Sequence, residues 1–170
     1  MKVFIILCLF LVNMYASNKI DTFSSQFVQT ITNPQGQKVV YSGDIHISSS
    51  TKVAWFYKKP MEKNIYILGE EVTVIEPMLE QAIVSKHNMQ VDILKVLQEA
   101  KNAKKPFSTT IQKQKYDIDV DKNGVIIGIS YVDEFENNVL ITFVNSSYNN
   151  KIYDDLFEFY IPFNYDIIYK

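Results

Sequence analysis

Apolar positions along this chain change period several times, and each change marks an element. Val3 to Val12 is an unbroken apolar run behind Lys2, with the small residue Ala16 beyond it. From residue 18 to 32, Ile20, Phe23, Phe27, Val28 and Ile31 recur at helical spacing between Asp21, Ser24, Ser25 and Gln29. This predicts an amphipathic helix with one apolar stripe. Asn33-Pro34-Gln35-Gly36 stops it. From Val39 the period falls to two. Ile45 and Ile47 alternate with Asp44, His46 and Ser48, and Val53, Trp55 and Tyr57 share one face of the next strand, which Pro60 ends. Ile65 and Ile67 share a face, Gly69 sits in a turn, and Val72 and Val74 follow. Pro77 breaks the next run, and Gln81 to Lys86 reads as a further strand. Residues 90–103 return to helical period, with Val91, Leu94, Val96, Leu97 and Ala100 set among Asp92, Lys95, Gln98, Glu99 and Lys101, and Pro106 just beyond. Phe107 to Lys113, Lys115 to Val120, Val125 to Val132 and Val139 to Val144 alternate again, and an aromatic tail runs from Leu156 to Ile168. The order is helix, about four strands, helix, about five strands. It predicts a mainly β, α+β domain: one large antiparallel sheet, curled, with helices on one face.

The first run has the layout of a secretory signal peptide over residues 1–16, since it is too short to span a membrane as a helix. The alternative is a retained N-terminal anchor. Residues 17–170 then form a single domain. Cys8, the one cysteine, lies inside the leader and follows Leu7 rather than the small residue that a lipid-attachment site requires. A mature chain without Cys has no disulfide, thiolate metal site or Cys nucleophile.

Composition removes further classes. The hydrophobic share is 47% and the charged share 21%, values of an ordinary globular domain. The net charge is -2, and loss of Lys2 makes it more negative, which excludes a nucleic-acid role. Every basic residue is Lys, so no guanidinium fork is present for bidentate phosphate or carboxylate recognition.

Catalytic signatures are missing. No G-x-S-x-G, H-E-x-x-H, phosphate loop or dinucleotide fingerprint occurs. His46 and His87 lack metal-ligand spacing. Asp119-Val120-Asp121-Lys122-Asn123-Gly124 matches the start of a calcium loop, but position twelve is Ser130 instead of Glu and the flanks read as strands, so a hairpin turn is expected. Asn145-Ser146-Ser147 is a formal glycosylation triplet in a loop. Neither metal nor cofactor is expected. What remains is a face rich in apolar side chains. It is either ordinary core or the wall of a cavity left by a sheet that curls without closing.

Several segments together resemble the LolA family of periplasmic lipoprotein carriers: Phe23-x-x-x-Phe27-x-Gln29-x-Ile31; Ser42-Gly43-Asp44-Ile45-His46-Ile47; Trp55-Phe56-Tyr57-Lys58-Lys59-Pro60; Gly69 through Val74; Glu76-Pro77-Met78-Leu79-Glu80-Gln81; and the tail Leu156-Phe157-Glu158-Phe159-Tyr160-Ile161-Pro162 with Asp166-Ile167-Ile168. The resemblance covers the whole mature chain, in order. It implies a half-open antiparallel barrel with a helical lid over a hydrophobic cavity. It implies a non-enzymatic, monomeric chaperone in the periplasm of a Gram-negative bacterium. Such a chaperone takes acylated lipoproteins from an ATP-driven (ABC-type) inner-membrane exporter and passes them to an outer-membrane acceptor or membrane. Strand parity and helix position then nominate Phe27, Ile31, Ile45, Ile47, Val53, Trp55, Tyr57, Val72, Val74, Leu94 and Leu97 for the acyl-chain cavity. The chain departs from the family at Ser49, where an Arg usually latches the lid. Ser49 becomes the latch candidate, with Lys52 as a substitute of opposite strand parity. Two further classes stand beside the carrier. One is a lipid-binding or lipoprotein-sensing module built on the same half-barrel. The other is an enzyme with a scattered site and a hydrophobic substrate.

Overall fold

A computed structural model describes residues 19–49, 51–86, 93–111 and 113–170. The leader expected at residues 1–16, with Cys8, lies outside the described residues, as do His87 and Val91.

Residues 23–32 form a strand, β1 (Phe23–Thr32), where their spacing predicts a helix. Phe23, Phe27 and Ile31 lie four apart. A step of four returns to the same face of a strand as well as to nearly the same face of a helix. The β-branched run Val28, Thr30, Ile31 and Thr32 decides between them. Ser25 and Gln29, placed between the apolar positions, are themselves buried. Ser25 Oγ donates to Val144 O at 3.0 Å and meets Ser146 Oγ at 3.0 Å. Val28, assigned to the stripe, faces the other way and is 39% exposed.

Five strands, rather than about four, follow before the helix: β2 (Lys38–Ser49), β3 (Lys52–Lys59), β4 (Lys63–Leu68), β5 (Glu71–Glu76) and β6 (Gln81–Lys86). The helix is α1 (Ile93–Ala103). Then come β7 (Phe107–Ile111), β8 (Gln114–Val120), β9 (Ile126–Val132), β10 (Asn138–Tyr148) and β11 (Asp166–Tyr169). All eleven belong to one sheet, ordered β11-β6-β5-β4-β3-β2-β1-β10-β9-β8-β7. Neighbours are antiparallel except β11, which runs parallel to β6. Strand β1 is central, between β2 and β10. The end strands β11 and β7 do not pair with each other, so the sheet stays open among the described residues.

The sheet curls. Strands β3 and β9 are separated by β2, β1 and β10, a flat distance of roughly 19 Å at about 4.8 Å per strand step. Yet Tyr57 of β3 and Tyr131 of β9 act on each other electrostatically, and Val53 and Tyr57 share one buried cluster with Ile118, Ile126 and Ile141. Helix α1 lies inside the curl, placing Leu97 and Ala100 in that cluster. It is therefore the single described helix on this face. Its C-terminus closes at Lys104, whose φ is 51° and whose N–H donates to Ala100 O at 3.1 Å.

A second cluster covers part of the outer face. Ala54, Tyr66, Ile75 and Ala82 point outward from β3 to β6, and the tail lays Phe157, Phe159, Ile161 and Tyr165 over them. The Tyr66 and Phe159 rings stack at 4.4 Å.

Three hairpins share one turn chemistry. Asn33, Asp121 and Asp133 each accept, at Oδ1, the N–H groups two and four residues on, at 2.8–3.1 Å. The left-handed residue is Gly36 (φ 81°), Gly124 (φ 78°) and Glu136 (φ 62°). The calcium-like segment is thus the β8–β9 turn. The Asp121 carboxyl is held below its ordinary range by the N–H of Val125 and then that of Asn123, an arrangement that satisfies an anion.

Candidate functional site

Two glycines shape the inner face. At Gly43 a Cβ would lie 1.8 Å from Phe56 O and 3.0 Å from the Phe27 ring. Its absence lets the Phe27 ring lie across the backbone of β2. From there Phe27 meets Trp55 edge-on at 5.4 Å and Tyr57 at 5.0 Å, while Trp55 and Tyr57 stack at 6.1 Å. At Gly124 a Cβ would meet Lys101 O at 2.6 Å, Lys101 Cα at 2.7 Å and Lys101 C at 2.9 Å. The last turns of α1 therefore sit directly on the β8–β9 turn, and only a residue without Cβ allows it.

The nominated wall residues fall on one face. Ile45 pairs with Trp55 and Trp55 with Ile65; Ile47 pairs with Val53 and Val53 with Ile67. Ile65 and Ile67 continue the ladder to Val74 and Val72. Phe27, Ile45, Ile47, Val53, Tyr57 and Leu97 are buried in the inner cluster, and Ile31, Trp55 and Leu94 pack half-buried against it. Val72 and Val74 are half-buried further along the same face, outside that cluster.

Polar groups punctuate the apolar surface in two places. Toward the end marked by Ile31, Tyr41 and Tyr57 meet edge-on at 5.8 Å, and Tyr116 and Tyr131 lie 5.0 Å apart. Burial pushes the Tyr57 hydroxyl well above the ordinary tyrosine range, with smaller contributions from Tyr131 and Tyr41. Lys63 Nζ caps this group 4.6 Å from the Tyr57 ring centre. Toward the other end, Ser48 and Ser49 line a groove of about 410 Å³ together with Lys19, Ile20, Asp21, Leu94, Lys95 and Gln98. Here the helix is tied to the chain ahead of β1: the Ile20 N–H donates to Gln98 Oε1 at 2.9 Å. Gln98 also donates through Nε2 to Asn102 Oδ1 at 3.3 Å.

The latch candidate Ser49 thus stands at the helix, on the groove it shares with Leu94 and Gln98. Its hydroxyl, however, is engaged within its own hairpin, accepting from the Thr51 N–H at 3.3 Å and meeting Thr51 Oγ1 at 3.3 Å. Lys52 goes to the outer face, where Nζ pairs with Asp154 at 2.5 Å and lies 5.1 Å from the Phe157 ring centre. The contact between Gln98 and Ile20 was not singled out from sequence. Gln98 reads there only as one polar position on an amphipathic helix.

His46 sits on the outer face, its Nδ1 3.1 Å from Ser24 Oγ. Burial lowers its pKa, Asp44 opposes that and Lys58 adds to it. Asp44 and Lys58 form an ion pair beside it. Among the described residues no three His, Cys, Asp or Glu side chains are grouped to hold a metal.

The sequence pattern of the family described as "Outer membrane lipoprotein carrier protein LolA" matches residues 18–115. The chain is 35% identical over 154 residues to an outer-membrane lipoprotein carrier protein of Wolinella succinogenes, spanning 90% of each chain. It is 35% identical over 169 residues to the protein of the same description in Campylobacter jejuni, spanning 98% of each. In fold it resembles an uncharacterized conserved protein from Thermus thermophilus, with a TM-score of 0.53 at 7% identity, over 90% of this chain and 93% of that one.

Proposed function

The chain belongs to the outer-membrane lipoprotein carrier family LolA, and from that premise we propose that it is the periplasmic chaperone that shields the acyl chains of lipoproteins between the inner and outer membranes of a Gram-negative bacterium. Residues 1–16 are its signal peptide, and residues 17–170 are one carrier domain. The observation that carries this reading is the continuous apolar face from Phe27 across Ile45, Val53 and Trp55 to Val74, inside a sheet that stays open among the described residues and under helix α1.

Physical chemistry sets the task. Each buried CH₂ contributes about 0.8 kcal/mol, so two or three long acyl chains resist transfer into water by roughly tens of kcal/mol. Free diffusion of such cargo is excluded, and a shuttle must supply an apolar enclosure. It must also let go. A lid that has to open before cargo enters subtracts the cost of opening from the affinity, which keeps delivery to the next acceptor downhill. In this chain α1 is the lid. Its seat is the contact of Lys101 with Gly124 and the hydrogen bond from Ile20 to Gln98. Ser49 stands where the family's arginine latch usually sits, and the tie described at the helix is the neutral Gln98 amide, whose uncharged hydrogen bond is about half as strong as a charge-assisted one. The cavity wall is formed by Phe27, Ile31, Ile45, Ile47, Val53, Trp55, Tyr57, Val72, Val74, Leu94 and Leu97. Ser49 belongs to the rim. Cargo arrives from an ATP-driven exporter of the inner membrane and leaves to an outer-membrane acceptor or the membrane itself. The carrier acts as a monomer, by binding alone, with no catalytic step and no cofactor.

The test is release of a newly made triacylated lipoprotein from spheroplasts into medium containing the purified protein. A soluble one-to-one complex that fails to form when the cargo is not acylated supports the reading. A folded protein that releases nothing refutes it, and points to a lipid-binding or sensory module instead.

A further inference from the structure

One polar atom on the inner face is left unanswered by the fold. Trp55 Nε1 is buried and has no hydrogen-bond partner among the described residues. Trp55 is the chain's one tryptophan. Strand β3 sets it between Ile45 and Ile65, and its ring lies against Phe27 and Tyr57. An indole N–H can only donate, and buried donors without an acceptor are rare in folded proteins. A phenyl ring at the same place would pack without this unmet donor. Ile45, Ile65 and Phe27 carry no acceptor oxygen, and the hydroxyl of the stacked Tyr57 ring makes no hydrogen bond with the indole N–H.

Acyl cargo brings the missing group. Every fatty chain on a lipoprotein is joined through a carbonyl, an ester for the O-linked chains and an amide for the N-linked one. We propose that Trp55 Nε1–H donates a hydrogen bond to an acyl carbonyl of the bound cargo. That makes the cavity selective for acyl chains over plain hydrocarbon and fixes the depth at which the carbonyl end of a chain comes to rest. The inference rests on the carrier reading above and names the one directional contact in an otherwise non-directional site. An apolar wall alone lets a chain slide; a single donor sets its register.

The experiment uses the delipidated protein labelled with ¹⁵N-tryptophan, which yields one indole N–H resonance. Three probes of equal chain length are added: a diacylglycerol, the dialkyl glycerol ether that lacks both carbonyls, and an N-acyl cysteine. The diacylglycerol is expected to bind about five- to tenfold more tightly than the ether, the gain of one neutral hydrogen bond. The indole proton is expected to move downfield with a carbonyl probe and not with the ether. Movement with the diacylglycerol assigns the ester, and movement with the N-acyl cysteine assigns the amide. In Trp55→Phe, the preference for the diacylglycerol over the ether should disappear, whatever the smaller ring does to the affinity for both. Equal binding of diacylglycerol and ether to the original chain, with no downfield shift, overturns the Trp55 assignment and leaves the carrier reading standing. Binding of none of the probes removes both.

Discussion

Replacing Gly124 by Ala tests whether α1 is seated on the β8–β9 turn in solution. Two costs are added. The first is conformational: φ is 78° at this position, and a side chain in the left-handed region costs about 1–2 kcal/mol, offset by about 0.4–1 kcal/mol of lost unfolded-state freedom. The second is steric. The new methyl would stand 2.6 Å from Lys101 O and 2.7 Å from Lys101 Cα, where carbon contacts settle near ~3.5–4 Å. The helix terminus must retreat by roughly an ångström, and overpacking of this kind costs about 1–3 kcal/mol. The sum is about 2–4 kcal/mol, or a melting temperature lower by roughly 6–12 °C for a chain of this size. Gly36→Ala is the matched control. Its φ is 81° and nothing lies within 4 Å of its new Cβ, so only the conformational cost applies, about 1 kcal/mol and roughly 3 °C. Thermal unfolding of both variants gives the difference directly. A second readout is uptake of a fluorescent acyl ester, expected to be faster in Gly124→Ala because the lid sits higher, and unchanged in Gly36→Ala. Equal melting losses in the two variants would refute the seating argument.

Three further outcomes are expected. Phe157→Ala empties the centre of the outer cluster, where the ring is 2% exposed. It should cost about 3–4 kcal/mol in urea unfolding while leaving lipoprotein release by the folded fraction unchanged; a loss below about 1 kcal/mol would show that the tail is not packed as described. Gln98→Ala removes the acceptor of the Ile20 N–H. Hydrogen exchange at Ile20 should rise about fivefold, the equivalent of about 1 kcal/mol, and Gln98→Glu, which keeps an acceptor oxygen, should restore protection; identical exchange in Gln98→Ala and the original chain would disprove the tie. Burial lowers the folded-state pKa of His46 below 6.5. The unfolded chain then binds more protons between the two values, so His46 costs stability as pH falls from 6.5 toward the folded value and costs nothing above it. Denaturation midpoints measured from neutral to mildly acid pH should fall less steeply in His46→Gln than in the original chain, and parallel slopes would rule this out.

Strand parity made the inner face legible over β2 to β5, because a two-residue period admits no other assignment once one buried position is known. The pairs Ile45–Trp55, Trp55–Ile65 and Ile65–Val74 are what that period requires. The same logic misled at β1. Apolar residues four apart satisfy both periods, and the polar positions that would have discriminated, Ser25 and Gln29, lie inside with the apolar ones. The hairpin reading of Asp121 to Gly124 held because Asn-Gly chemistry is local. Contacts made across the fold left no local trace. The tail's cover over the outer face, the link from Ile20 to Gln98 and the unmet Trp55 N–H each depend on which distant segments meet. Ser49 lines the groove beside the helix, yet its hydroxyl is engaged by Thr51, a choice set by turn geometry that pattern cannot reveal.

The central position of β1 carries a consequence in time. Its partner on one side, β2, follows at once, but its partner on the other is β10, and Ser25 bonds Val144 across 119 positions of sequence. The hairpins β2 to β6 can therefore zip up early, while the far edge of β1 waits until nearly the whole chain is available. Pairings this distant place folding in the range of milliseconds to seconds instead of microseconds. With β1 ahead of the other described strands and its partner β10 at Asn138–Tyr148, the two halves of the sheet join only once β10 is available.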